Sequence, residues 1–508
     1  MNGAVLPEPD PTLCHLLADD LRAAGYGSAA LRSAWGAQAD DAIARGLLDP
    51  AMRALGDRRD PLAVLGRLWG LGRSVPAEDL ATALPSAGVA GAVALGLAAQ
   101  EGGTVAPAVL LRPQAIADAD GEEEWWIASD LDEAALGGPL PEDHVLGVGG
   151  ASQTLARLQL TWRAASALDI GTGCGIQALR LRRLVPRVVA TDISERALRF
   201  TRLNALLNDV DGIETRHGSL FDPVAGEQFE RVASNPPFVI TPRVSGVPAY
   251  EYRDGGLEGD ALVASVIGGV GAHLAPGGVA QSLGNWEYRD GESGLDRVKG
   301  WVDPALDAWV IEREVLDPLA YAELWVRDGG TVPGTPAYAR LIDAWLEDFE
   351  RRGVTGVGFG YVLLRRPLAG APTLERYERV AGGGEAAFGP HLAACLEEHD
   401  RAALLDDDGL AAATLGVSPD VTEARHHRPG EESPSVIELR QGGGFGRTIE
   451  VDPALAALVG ACDGDLSVGP LIGAIAQLLE VDAEDLRADL LPRIRELIVT
   501  GFLHFLDA

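Results

Sequence analysis

The tetrapeptide Asn235-Pro236-Pro237-Phe238 joins an amide side chain, two rings that lock the backbone, and an aromatic face. The Asn235 side-chain oxygen and the Pro236 carbonyl can both accept hydrogen bonds from a single –NH2 group. Consecutive prolines fix φ and restrict the residue before each of them, so the acceptors are in place before anything binds. Phe238 offers a face for a flat substrate. Upstream, Leu168-Asp169-Ile170 runs into Gly171-Thr172-Gly173-Cys174-Gly175. An apolar run, a glycine turn and a helical pattern bring backbone N–H groups close to a ligand. A second apolar run, Arg187 to Thr191, ends in Asp192, 17 positions after Gly175. A carboxylate at that place can accept both hydroxyls of a ribose.

The elements that must carry these residues alternate. Strands are expected at Ser166–Ile170, Arg187–Thr191, Ile213–His217, Phe229–Ser234, Val279–Leu283, Trp309–Glu314 and Thr355–Leu364. Helices are expected from Ile176 to Leu184, from Ser194 (a good N-cap, with Glu195 in the first turn) to Asn208, and from Leu262 to Leu274. Such alternation predicts an α/β, doubly wound sheet with its ligand at the carboxyl ends of the strands, and all three motifs fall at such ends. A dinucleotide fingerprint would need glycine at position 176, which is Ile176.

The D-x-G-x-G-x-G spacing resembles motif I of the class I S-adenosylmethionine (SAM) methyltransferases, and N-P-P-F resembles motif IV of those that modify nitrogen in a planar group. With Val239-Ile240-Thr241-Pro242 and then Tyr252-Arg253-Asp254-Gly255-Gly256-Leu257-Glu258-Gly259-Asp260, the chain is similar to the HemK/PrmC group, which methylates a glutamine side-chain amide in translation release factors. The resemblance covers roughly Val145 to Leu283. It implies a Rossmann-like, seven-stranded domain with SAM as cofactor. Asp169, Gly171, Thr172, Gly173, Gly175, Asp192 and Ile193 would hold SAM, with Ser219 or the Leu220 backbone at the adenine. Asn235, Pro236 and Phe238 would hold the acceptor, Asn235 also adjoining the cofactor. Two departures stand out: Phe238 replaces the usual tyrosine, and Gly147–Gln153 replaces an Arg-Pro pair. The same tetrapeptide serves enzymes that methylate adenine N6 or guanine N2. A protein glutamine, an RNA or DNA base, and a SAM-binding scaffold without turnover are therefore the readings to separate.

The 508 residues exceed one core. Three regions are expected: 1–145, mainly helical and winged-helix-like; 146–368, the methyltransferase domain; and 369–508, an α+β accessory region with a helical end. A net charge of −33 argues against broad electrostatic attraction to nucleic acid. From Leu146 to Asp260 the 13 arginines balance 13 acids, so the acidity lies in the flanks. In the first region, Glu78 and Asp79 stand where a DNA-reading helix would be basic. In the third, Asp400–His427 reads as an acid-rich loop, and Arg425-His426-His427-Arg428 as exposed. His144 reads as a solvated loop residue and Cys174 as a filler of the glycine loop. Four scattered cysteines suggest neither disulfides nor a metal site and fit a reducing cytoplasm. The alanine-rich stretch Leu80–Gln100 is too weakly apolar to span a bilayer. The expected partner is a protein substrate, translation-related in the resemblance, or a nucleic acid, with no membrane.

Overall fold

The computed structural model describes residues 6–118, 121–138, 140–244, 246–247, 253–380 and 388–506. Tyr252, part of the stretch shared with HemK/PrmC, lies outside them. The chain divides into two compact units, residues 1–156 with 163–378, and 157–162 with 379–508.

The first unit is built on a sheet whose strands are β1 (Ala167–Ile170), β2 (Val188–Asp192), β3 (Ile213–His217), β4 (Phe229–Ser234), β5 (Leu274–Arg289), β6 (Asp307–Leu316), β7 (Val354–Arg365) and β8 (Glu375–Arg379). Their spatial order is β8-β6-β7-β5-β4-β1-β2-β3. The seven expected strands all form, and β8 adds an eighth at the edge. β1, β2, β3, β4 and β5 run parallel, while β7 is antiparallel to both β5 and β6. β1 is buried at every position, as a central parallel strand must be when both faces are covered. β5 is much longer than Val279–Leu283. It begins at Leu274, shifts register before Val279, and continues to Arg289 along β7. Helix α1 (Ile176–Arg182) follows the glycine turn, and α2 (Glu195–Leu207) follows β2. Ser194 caps α2, its side chain accepting from the Ala197 N–H.

The N-terminal residues belong to the same unit. Short helices lead to a three-stranded sheet (Val75–Pro76, Thr104–Pro107 and Ala98–Glu101) and then to a hairpin, Leu110–Asp118 with Gly121–Ser129. The apolar run Val105–Leu111 thus splits between two sheets. The helix Gly88–Ala94 stops there because the chain turns at Gly96 (φ +72°) and Ala98 enters a strand. Leu17, Trp69, Leu111 and Ile127 share one core with Ile176, Leu179, Phe200 and Leu203 of α1 and α2. Asn204 and Asn208, one turn apart on α2, complete the junction. Asn204 accepts from the Ala128 N–H (2.8 Å) and donates to the Ala128 carbonyl (3.0 Å) and the Cys174 carbonyl (2.8 Å). Asn208 does the same for both backbone groups of Trp126, at 2.9 Å each. Two side-chain amides thereby act as the missing neighbour of a strand edge.

The second unit has its own core around Leu410, Leu458, Ile494 and Phe502. Helices Phe388–Ala403, Asp407–Ala412, Pro453–Gly460, Val468–Leu479 and Ala483–Val499 accompany a three-stranded sheet and the pair Leu415–Val417 with Leu503–Phe505. The loop expected over Asp400–His427 is instead the end of one helix, a second helix and two strands. Its acids misled because they do local work. Asp406 caps a helix at the Gly409 N–H (2.8 Å), and Asp407 and Asp408 pair with Arg495 and Arg487. Among the described residues no helix is long and apolar enough to cross a membrane.

Candidate active site

Sheet order brings the three motifs together. β1 lies between β2 and β4, with Ile170 opposite Thr191 on one side and Ser234 on the other. The glycine turn, Asp192 and Asn235 therefore leave adjacent strands at the same end, at the point where the strand order reverses. They line a cleft of about 310 Å³, together with Ile193, Gly218–Leu220, Pro236, Pro237 and the segment from His144 to Gly147.

The turn is locked by the neighbouring strand. Gly171 and Thr172 both donate their N–H groups to the Thr191 carbonyl, at 2.9 and 3.0 Å, and the Gly175 N–H returns to the Thr172 carbonyl at 2.8 Å. Gly175 (φ +87°) begins α1 with its α-carbon against Thr201, where a side chain would have no room. Gly171 (φ +69°) and Gly173 (φ +56°) face open space, so their backbone is bare toward the cleft. Leu220 adopts φ +46°, an unusual conformation for leucine, where the chain turns along the cleft.

The two acids are not equivalent. Asp192 lines the cleft, and its two oxygens accept from the Gly173 N–H (3.0 Å) and the Ser194 N–H (2.9 Å). A carboxylate has about four acceptor positions, so both oxygens retain capacity for a pair of hydroxyls. Asp169 is absent from the lining. It lies beneath the turn, 1% exposed, accepting from the Thr172 hydroxyl at 2.7 Å while its other oxygen is buried without a partner. Burial raises the carboxyl of Asp169 to about 7, and burial likewise raises that of Asp192. Cys174 is buried and its thiol is pushed up to about 11 by burial, so it stays neutral.

Asn235 is half-buried. Its Nδ2 donates to the Ser152 Oγ at 3.3 Å, while its Oδ1 is buried with no hydrogen-bond partner. Pro236 and Pro237 line the cleft beside it, whereas Phe238 does not; its ring meets Trp325 edge-on at 6.4 Å. The chain after Phe238 is pinned by the Arg253 carbonyl, which accepts from the Val239 N–H (2.8 Å), and by the Tyr321 hydroxyl, which accepts from the Ile240 N–H (3.0 Å) and Asn285 Nδ2 (2.9 Å). The acids of the Asp254–Asp260 stretch are braces. Asp254 pairs with Arg243, Glu258 with Arg351 and Asp260 with Arg297.

His144 departs from the solvated loop residue expected. It is 3% exposed, lines the cleft, and burial lowers its pKa, which favours the neutral ring. The adjoining Val145 is tied to Asp130, its N–H donating to the Asp130 carboxylate at 2.8 Å, and Asp130 pairs with Arg196 of α2. Ser152, Gln177 and Tyr321 carried no signal strong enough to find them as site residues.

The residues fit SAM. Bare glycine backbone, a carboxylate with free acceptor capacity and an asparagine whose amide oxygen is unpartnered line one cavity, and two carboxyls stand near it to balance the net positive charge of SAM.

Residues 148–246 match the family model described as the methyltransferase small domain. Residues 23–108 and 396–505 match two models described as domains of unknown function. The release factor glutamine methyltransferase of Deinococcus radiodurans is 32% identical over 166 residues, 31% of this chain and 57% of that protein. That of Yersinia pestis is 31% identical over 189 residues, 36% of this chain and 66% of that protein. Among solved structures, the N-methyltransferase NodS of Bradyrhizobium japonicum with S-adenosylhomocysteine aligns at 18% identity and TM-score 0.24, covering 42% of this chain and 84% of that one. The matched segment thus spans only part of the curated relatives, and the flanking regions lie beyond it. Within the first unit, the chain carries a class I SAM-dependent methyltransferase domain that is similar, over part of their length, to release factor glutamine methyltransferases.

Proposed function

We propose that the chain transfers a methyl group from SAM to a planar amide nitrogen, that of a glutamine side chain in a protein. The observation that carries this reading is the Asn235 amide: the residue lines the cleft, its nitrogen is used on Ser152, and its oxygen is left buried and unpartnered. Such an acceptor is costly to leave unmade and is answered by an N–H donor. SAM, when bound, supplies the electrophilic methyl carbon. The glycine turn would cradle it with backbone N–H groups, and Asp192 would take its ribose hydroxyls. The Asn235 oxygen and the Pro236 carbonyl would each accept one N–H of the acceptor. That orients the nitrogen lone pair for in-line attack, as the N–C bond forms and the bond to sulfur breaks. No strong base is needed first, since the N–H protons become acidic once nitrogen bears the methyl.

A protein acceptor is favoured over a nucleic acid by the charge of the cleft. Among the described residues its lining contains no arginine or lysine to meet a phosphate. Glu78 and Asp79 lie in the first turn of an N-terminal helix, and the next helix, Gly88–Ala94, is uncharged. The name borne by the relatives, release factor glutamine methyltransferase, makes a translation-associated protein of the cytoplasm the first acceptor to try. Labelled methyl from SAM, offered to a lysate lacking this gene, should appear in protease-sensitive material, and Asn235→Ala should abolish it. Label lost with nuclease would move a nucleic-acid base to first place. Full activity of Asn235→Ala would defeat the mechanism.

A further inference from the structure

We infer that Ser152 is a positioning residue that anchors the Asn235 side chain by its nitrogen and leaves its oxygen for the acceptor. This rests on the reading of Asn235 above. An asparagine amide presents an oxygen acceptor on one side and two N–H donors on the other. Turned one way, Asn235 accepts from an incoming –NH2; turned the other way, it sets donors against donors. The Ser152 Oγ takes the Asn235 Nδ2 at 3.3 Å, and that leaves Oδ1 as the end without a partner.

Ser152 is well placed for this because its own backbone is held. Gln177 Nε2, on the α1 helix that the glycine turn feeds, donates to the Ser152 carbonyl at 2.7 Å. Gln177 is 3% exposed and lines the same cleft as Ser152 and Asn235. Helix Gly150–Leu158, which carries Ser152, is tied at this point to the cofactor-binding helix. Three residues from three separate stretches thus form a chain: Gln177 fixes Ser152, Ser152 turns Asn235, and Asn235 receives the acceptor. The departure at Gly147–Gln153 from the Arg-Pro pair is where this chain places its orienting hydroxyl.

The test uses the full chain with Ser152→Ala, Ser152→Thr and Asn235→Ala, on whichever lysate fraction the unsubstituted protein labels. SAM affinity is measured separately by calorimetry. Ser152→Ala should lower kcat about tenfold, the loss of one orienting hydrogen bond, with SAM affinity changed less than twofold. Ser152→Thr, which keeps the hydroxyl, should restore most of the rate. Independently of turnover, the Asn235 side-chain NH2 signal in a nitrogen-15 spectrum, assigned by its loss in Asn235→Ala, should move in Ser152→Ala and stay in Ser152→Thr. An unchanged kcat and an unmoved signal in Ser152→Ala, with Asn235→Ala inactive, overturn the role of Ser152 alone. Equal losses of rate and SAM affinity in Ser152→Ala also overturn it, since they mark a merely structural role. Activity in Asn235→Ala, or no labelling by the unsubstituted protein, overturns the reading beneath it.

Discussion

Between Asp169 and Leu220 the chain builds the proposed cofactor end of the cleft from residues close in sequence, whereas the proposed acceptor end draws on Ser152, Asn235, Asp254, Asn285 and Tyr321. At the cofactor end the backbone does most of the work: glycine N–H groups, a shared Thr191 carbonyl, and Asp192 steadied by two N–H donors. At the acceptor end the decisive groups are side chains, each oriented by another from a distant part of the chain. A backbone site tolerates change in everything except its turn, while a side-chain site depends on every member of its chain of contacts. The cofactor end is therefore the more legible half.

Four measurements would break or sharpen this contrast. The largest effect belongs to Asn235→Ala. Loss of the acceptor's orienting oxygen should cost about 10²–10³-fold in kcat while SAM affinity, measured by calorimetry, stays near the starting value. A parallel loss of affinity would merge the two ends. Next, Asp192→Ala should weaken SAM about 10²-fold through two charge-assisted hydrogen bonds, with kcat at saturating SAM much less affected. If kcat fell as far as affinity, the acid would serve both ends.

The third concerns pH. Burial holds the Asp169 carboxyl at about 7, against 3.8 for an ordinary aspartate. SAM carries net positive charge, so it binds better when this carboxyl is ionised. Affinity should rise on going from pH 6 to pH 8, by about tenfold if one group governs it. Asp169→Asn should flatten that rise. The empty protein runs in the opposite sense: because the folded pKa is raised, the contribution of Asp169 to stability improves as pH falls from about 7 toward 4. An affinity independent of pH would show that the carboxylate beneath the turn does not sense the cofactor. The smallest effect is expected from Phe238→Leu. With its ring on Trp325 and outside the cleft lining, its loss should cost about 1 kcal/mol of stability, read from denaturant unfolding, and leave the KM for the acceptor unchanged. A raised KM would return Phe238 to the substrate face that its place in the motif suggested.

The sequence carried the parallel half of the sheet well because apolar runs, glycine turns and caps are local signals. Ser194, Asp192 and the strand Ile213–His217 needed no knowledge of distant residues. It failed where the cause was distant. The extension of β5 to Arg289 exists because β7 pairs along its whole length. His144 looked solvated because it sits among loop residues, yet it is buried once Val145 is tied to Asp130. Phe238 looked like a stacking face because the motif suggests one, but Trp325, from a helix far downstream, occupies its edge. The acids of Asp400–His427 looked like solvated loop because charge alone does not distinguish a cap from a coil. Ser152 carries the same lesson: a serine among glycines says nothing until Asn235 is beside it.

The Asn204 and Asn208 amides on α2 have a consequence for synthesis. They cover the free edge of the hairpin strand ending at Ser129, yet they are made some 75 residues later. At a ribosome's pace of about 5–20 residues per second, that edge waits roughly 4–15 s for its partner. An uncovered strand edge on a growing chain is an invitation to pair with another chain. The interval between Ser129 and Asn208 is thus the stage at which this protein is most exposed to misassembly, and slowing translation there should lower the yield of folded protein more than slowing it after Asn208.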